Sequence, residues 1–522
     1  MKGLPRLVFL FALLWGLLLI WLAPRPLLLD VPQHAAQIAL MQDLLAGHSR
    51  WAQEVEIRWA TPYLAAYSFM LLFATFSSIV TATKLTLSLG YLATFGMAVL
   101  LRRRWRAPVE LDWLLFIGYF SFNYDLGFIT LVLAAPFAML SLWLSDRQRE
   151  DPSLGRTAFA SLAALLTLVA HPLMWLFANA SNALALLLEF RRWRQYTGLQ
   201  RLQLLLPMAL SGALAGFIFL WLRQAHVDQS LQLPLVNGSY EWSRLSGLLF
   251  LPLGYAPFVS TGAAIVALLI SAFLISARGP NLFAAQSAPL WVTFVWFVFG
   301  PGQLLTAAAI HARVLVLFFP SWVWAFGQRQ NAGSESVGPS TKISAQGNSW
   351  RSRVGLLLAI GAVLATLAER TANTLPLIAE SASFDPILAR MEPGKRVLYL
   401  QVPYPDEALP MSTQAFRHFG LWYQAEKHGL VDFNFAWGNQ MIVRFRPGQV
   451  PRVLNDVNRD IRFFNWQAAD ADRYEYFLIH LGQPITNLAS LFRSAPCQPR
   501  ILAANAHWIL LVPGNCPARR QP

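Results

Sequence analysis

Charge is scarce in this chain: of 522 residues only 13% are Asp, Glu, Lys or Arg, against roughly a quarter in an ordinary soluble domain. Cysteine is scarcer still, with two in the whole sequence. Both of them, Cys497 and Cys516, lie in the final stretch, so the apolar part of the chain holds no cysteine-ligated cluster or zinc site. There is no Walker loop to cradle a nucleotide, no metalloprotease His-Glu pair and no paired-cysteine metal motif. Acidic residues number 27 against 41 basic ones, a net charge of +14. The basic residues punctuate apolar segments instead of gathering in a patch, a membrane-topology pattern that argues against nucleic acid as a partner.

What is abundant is apolar. Hydrophobic residues make up 56% of the chain and come in runs of spanning length. The first run covers residues 4–23 behind Lys2 and Arg6. It is too long for a signal peptide and lacks a small-residue cleavage site, so it reads as an uncleaved spanning helix. Further runs lie at 82–101, 111–123 with 126–144, 157–171 with 173–190, 203–222, 257–277, 288–302, 312–327 and 353–371. The paired runs share tight connections, at 123–125 and at His171-Pro172. The expected fold is therefore membrane all-α, a polytopic helix bundle of about eleven spans. Its segments are nearly free of charge and show no internal repeat.

Arginine clusters fix the expected orientation. They comprise Arg102, Arg103, Arg104 and Arg106, then Arg147, Arg149 and Arg156, then Arg191, Arg192, Arg194 and Arg201, then the basic residues of 329–353. All fall on the cytoplasmic side if the N-terminus is cytoplasmic and residues 63–76 form a re-entrant or interfacial helix that does not cross. The transmembrane domain is then 1–327, followed by a flexible Gly-, Ser- and Gln-rich cytoplasmic linker at 328–352 and a last span at 353–371. An odd number of spans puts the tail outside. Two cysteines close together there suit a disulfide in an oxidising compartment, the alternative being two unpaired thiols. Residues 393–517 read as a small extracytoplasmic α/β domain, with strand-like runs "RVLYLQV" at 396–402, "YEYFLIHL" at 474–481 and "HWILLVP" at 507–513 and a helical pattern at 412–428. The pattern is that of a bacterial inner-membrane protein with a periplasmic tail.

Polar chemistry concentrates in the first external loop, residues 25–62. Pro32 followed by Ala35, Ile38, Met41 and Leu45 predicts an amphipathic helix along the membrane surface, ended by Gly47. Asp30, His34 and Gln37 recur at helical spacing, so the three can face one site. A carboxylate there can take a proton from an acceptor hydroxyl, or hold a divalent metal such as Mg or Mn beside a phosphate. An aspartate two positions before a proline is equally an N-cap. Asp125, close after Asn123, is a second acid with the same metal option, or ordinary turn chemistry. The loop at 223–255 carries His226, Asp228, Tyr240, Glu241, Trp242 and Arg244, with Glu241 as its candidate site acid. Aromatic rings beside acids furnish a sugar site or an interfacial belt.

Four motifs, "DVPQH" at 30–34, "WATPYLAAY" at 59–67, "FNYDLGF" at 122–128 and "HARVLVLFFP" at 311–320, within this architecture resemble the GT-C superfamily of polyprenyl-phosphate-dependent integral membrane glycosyltransferases. The resemblance implies a polyprenyl-phosphate-linked sugar as donor and a glycan, lipid or protein as extracytoplasmic acceptor. It implies Asp30 as the catalytic first-loop aspartate, and Arg313 with His311 as the basic group holding the lipid phosphate, where the alternative is a snorkelling arginine. Two departures matter: Val31 stands where a second acid would follow Asp30, and "WWDYG" is absent, which argues against transfer of a whole oligosaccharide to protein. Two other classes compete: a lipid-linked saccharide transporter or flippase, and a non-catalytic subunit of an envelope polysaccharide assembly with the tail as its binding module.

Overall fold

The computed structural model describes residues 3–224, 236–237, 243–254, 258–276, 278–304, 307–328, 349–405, 415–438, 441–451, 460–462, 464, 473–485, 492 and 499–514. Helix dominates. Five helices among the described residues are long and apolar enough to cross a membrane: Leu4–Trp21, Ile79–Arg104, Ile129–Glu150, the apolar part of Gly198–Gln224, and Ser349–Ala382. The chain is an integral membrane protein by that criterion.

The other apolar runs form shorter pieces. The pair expected around His171 consists of Leu154–Ala170 and Pro172–Leu188, parted where the proline ring ends one helix and starts the next. The run at 111–123 is broken into Asp112–Ile117 and Phe122–Asp125. At Gly118 a Cβ would stand 3.1 Å from that of Phe319, so the break lies where another segment presses on the backbone. The run at 312–327 divides into a 3-10 turn, His311–Leu317, and the helix Phe318–Ala325. Apolar composition alone does not distinguish one spanning helix from two short ones meeting inside protein. Of the linker expected at 328–352, the helix Ser349–Ala382 takes the last residues, and 329–348 lie outside the described residues.

The chain forms two compact units. The first contains residues 1–18, 87–226 and 231–370. Its helices Ile129–Glu150, Leu154–Ala170 and Pro172–Leu188 pack on one another, and small buried residues such as Ala160, Ala163 and Ala164 let the backbones approach. Aromatic rings meet edge to face around Phe9, 5.1 Å from Trp113 and 5.5 Å from Phe116. Contrary to the charge-poor interior expected from sequence, this unit buries ion pairs. Arg102 grips Asp112 with two nitrogens at 2.8 and 3.0 Å. Asp146, wholly buried, accepts from both Arg104 and Arg149. Several arginines counted as topology markers are thus neutralised by acids on the same or another helix, as a buried charge requires.

The second unit joins residues 19–86 with residues 371 onward. Among the described residues its main sheet has five strands in the order Leu430–Val431, Arg396–Val402, Tyr476–Leu481, Trp508–Val512, Arg500–Ala504. The first three run parallel, and Trp508–Val512 runs antiparallel to both of its neighbours. Six of the seven residues of Arg396–Val402 are buried, so this strand is covered on both faces. Described strands occupy each of the three runs singled out in the sequence, and of the helical pattern the described residues 415–428 hold a 3-10 turn, Phe419–Leu421, leading into the helix Trp422–Lys427.

In the same unit the helix Val31–Leu45 ends as expected, with Gly47 at a φ of +72°. It does not lie open along a surface. Residues 31–41 are all buried, with Trp422–Lys427 packed along them. A two-stranded ladder, Val55–Ile57 against Val443–Phe445, fastens the rest of the loop. The following helix, Leu64–Ala74, has 11 residues, about 16 Å of rise against a ~30 Å hydrocarbon core, too short to cross.

Candidate functional site

In the second unit Asp30 holds the N-cap position of Val31–Leu45 but has an α-helical backbone, and its side chain makes no capping hydrogen bond. The proline of the first turn already removes one of the N–H groups a cap would serve. The Asp30 carboxylate instead lies with Oδ1 3.5 Å from His418 Nε2, and its side chain keeps 15% of its exposure. His418 in turn lies nearly parallel to the ring of Phe433, centroids 5.6 Å apart. His34, one turn on, is buried with Nδ1 2.8 Å from the hydroxyl of Tyr67 and its ring edge-on to Phe435. Burial, with Tyr63 and the Asp30 charge adding to it, pushes the Tyr67 phenol well above its ordinary value, so it stays protonated.

Gln37 has a different task. Its Oε1 accepts the backbone N–H of Val443 at 2.9 Å, while its buried Nε2 has no hydrogen-bond partner among the described residues. The three residues predicted to face one site are therefore divided: Asp30 meets His418, His34 meets Tyr67, and Gln37 pins a strand. His418 was not singled out in the sequence, Tyr67 entered only as the last residue of the 59–67 motif, and no spacing connects either of them to Asp30. Arg25, at the start of the loop, is buried and bonds both Glu426 and Asp385, fixing the chain just ahead of Asp30.

In the first unit the "FNYDLGF" and "HARVLVLFFP" motifs meet. Asn123 Nδ2 donates to the carbonyl of Ala312 at 3.3 Å, and the Arg313 guanidinium lies over the Phe128 ring, 4.0 Å from its centroid. Arg313 Nε and Nη2 both donate to the Ala308 carbonyl, at 3.1 and 3.0 Å. A cation stacked on a ring and bonded to backbone is held in one orientation, unlike a snorkelling side chain. His311 is not a second cation: burial, aided by Arg244, pushes it down to about 4, so it is neutral near pH 7.

Asp125 departs from both sequence readings. It is buried at the end of the short helix Phe122–Asp125 and bound by Arg370, with Nη1–Oδ1 at 2.8 Å and Nη2–Oδ2 at 3.1 Å. Arg370 Nη2 also donates to the carbonyls of Phe120 and Leu253. A carboxylate gripped in this way is a poor metal ligand, and among the described residues no three His, Cys, Asp or Glu side chains come together to hold an ion. Glu241, Cys497 and Cys516, with His226, Asp228, Tyr240 and Trp242, lie outside the described residues. Trp422 and Tyr423 are core, the latter donating to the Glu392 carbonyl.

No family model matches the chain, and no curated protein matches it. Among solved structures, the crystal structure of ArnT from Cupriavidus metallidurans bound to undecaprenyl phosphate is similar at 12% identity over 97% of each chain, with a TM-score of 0.49. At that identity and score the similarity by itself assigns neither fold nor activity.

Proposed function

We propose that the protein is a membrane glycosyltransferase that moves a sugar from a polyprenyl-phosphate donor to an extracytoplasmic acceptor. The observation that carries this reading is the state of Asp30: a partly exposed carboxylate at a helix start that does not cap the helix. In the reaction the acceptor hydroxyl gives its proton to Asp30, its oxygen forms the new bond to the anomeric carbon, and the bond from that carbon to the lipid phosphate breaks. The leaving phosphate carries off the electron pair. Arg313 is the cation assigned to it, since a fixed guanidinium matches phosphate oxygens and is worth most where water is excluded. His418 and the His34–Tyr67 pair act as positioning groups. No step requires a metal.

The test is transfer of labelled sugar from a polyprenyl-phosphate donor by purified protein in lipid. Asp30→Asn, nearly isosteric, is expected to lower the rate by about 10²–10⁴-fold with an unchanged melting temperature. Arg313→Ala is expected to lose retention of undecaprenyl phosphate in native mass spectrometry. Full activity in Asp30→Asn refutes the assignment.

A second reading has one observation in its favour. The buried Arg370–Asp125 pair sits among helices broken at 118–128, and intramembrane charge with interrupted helices is a feature of transporters. Movement of a lipid-linked saccharide across vesicles, equal in wild type and Asp30→Asn, would select it.

A further inference from the structure

One end of the first unit carries a surface of arginines and aromatic rings that the reaction above does not use. Residues 190–201, "FRRWRQYTGLQR", lead from Pro172–Leu188 into Gly198–Gln224 and hold four arginines and no acid. They begin with the four-residue helix Phe190–Trp193, none of which is buried. The acids closest by are already engaged: Glu189 lies 3.4 Å from the buried Arg149, and Asp146 and Glu150 both pair with Arg104. Arg191, Arg192, Arg194 and Arg201 have no carboxylate partner among the described residues.

A belt of snorkelling arginines leaves its guanidiniums loose in water. Three of these four are held. Arg194 lies over the Phe190 ring, 4.7 Å from its centroid, while Arg192 lies over Tyr196 and Arg201 over Trp193, each at 6.0 Å. Arg192 Nη2 also donates to the Glu150 carbonyl at 3.0 Å, and Arg201 Nη2 to the Arg194 carbonyl at 3.1 Å. The Tyr196 hydroxyl donates to the Arg149 carbonyl and ties the turn to the helix Ile129–Glu150. A guanidinium has five N–H donors, so these bonds orient the cations and still leave donors for an anion.

Position decides which anion. The apolar part of Gly198–Gln224 runs from Gly198 to Leu220 with 17% of its apolar window buried, and its 23 residues rise about 35 Å against a ~30 Å hydrocarbon core. Arg201, in its first turn, therefore lies at headgroup level. Phe190, Leu187 and Leu199 are 47%, 67% and 68% exposed on the same stretch. A nucleic acid or an acidic protein has no use for leucines facing hydrocarbon, whereas a phospholipid offers a phosphate to the cations and acyl chains to the leucines.

We propose that this surface docks the headgroup of an anionic phospholipid, whose phosphodiester meets the guanidiniums of Arg191, Arg194 and Arg201 and whose acyl chains lie along Gly198–Gln224. The inference stands whether the protein transfers or transports a saccharide.

The experiment releases the full chain from nanodiscs of mixed dioleoylphosphatidylglycerol and dioleoylphosphatidylcholine, which share acyl chains, and counts retained lipid by native mass spectrometry. Phosphatidylglycerol is expected to be retained in preference. Arg191→Gln combined with Arg194→Gln should lower that retention at least tenfold, from about fivefold per arginine. Arg390→Gln combined with Arg500→Gln makes the same charge change at exposed positions of the second unit and should leave it unchanged. Hydrogen exchange on the wild type supplies a readout independent of variants, with slower exchange across 190–197 expected in phosphatidylglycerol than in phosphatidylcholine. Equal retention of both lipids, an equal loss in the two double variants, displacement of the lipid by millimolar glycerol 3-phosphate, or slower exchange elsewhere with none in 190–197 overturns the proposal.

Discussion

Arg370 shows how much one side chain can fix. Its guanidinium meets the Asp125 carboxylate and the carbonyls of Phe120 and Leu253, so one cation joins three backbone segments. Gly254 stands directly against the pair with φ +84°; a Cβ there would lie 2.0 Å from Asp125 Oδ2 and 2.2 Å from Arg370 Nη2. Glycine is needed at that position for both backbone and space. Arg370→Met strands a buried carboxylate and is expected to cost about 3–5 kcal/mol, read from thermal unfolding in detergent. Arg370→Met combined with Asp125→Leu should recover most of that loss. If the single and the double variant melt alike, the pair is not the source of the stability. The sequence did not reveal this contact because Arg370 sits at the end of a long apolar run, where it reads as a flanking charge, and its partner is 245 residues away.

Among the elements, those legible in the sequence have a one-dimensional signature. Leu4–Trp21 is an uninterrupted apolar run, and Arg396–Val402 is a β-branched and aromatic run bounded by Gly394 and Pro403. The burial of residues 31–41 on every side had no such signature, because Gln33 and Gln37 look like a solvent face until their partners, Phe433 and Val443, arrive from the other end of the chain. Titration bears on a junction of this kind, where the end of Ser349–Ala382 meets the sheet. Burial works to raise Glu380, but the hydrogen bonds from His480 and Tyr404 prevail and hold it below its ordinary value. His480 is itself lowered, chiefly by burial, and partly restored by Glu380. Both groups have depressed folded-state values, so both contribute stability at neutral pH that is lost as pH falls through those values. Unfolding followed by near-UV circular dichroism should therefore show an acid-side loss, reduced in Glu380→Gln. A Glu380→Gln profile parallel to wild type below pH 5 would contradict this.

At the level of the whole molecule, the tail is not an appendage. Residues 19–86 share a unit with the tail, and the Asp30 region is built from both. A chain ending at residue 395 keeps Asp30 but lacks His418, Trp422–Lys427 and the strand Val443–Phe445. It is expected to lose transfer and to become sensitive to trypsin at Arg50 and Arg58, which in the full chain bond the tail through the Glu475 carboxylate and, from the Arg58 backbone N–H, the Ile442 carbonyl. A detachable binding module would leave both properties intact in the shortened protein. The architecture of many apolar segments followed by a mixed α/β tail was readable from composition, whereas the joining of its first loop to its last domain was not, since no local period encodes a partner hundreds of residues distant.

That ladder between Val55–Ile57 and Val443–Phe445 also sets a clock. Glu56 leaves the ribosome 388 residues before its partner Arg444, which at about 5–20 residues per second is a delay of roughly 20–80 s. For that interval the Val31–Leu45 helix, whose residues 31–41 come to rest buried in a unit not yet complete, waits with its apolar side chains uncovered. Biogenesis of this protein is therefore a race between completion of the tail and capture of the loop, and a folding helper would act on residues 31–45 first.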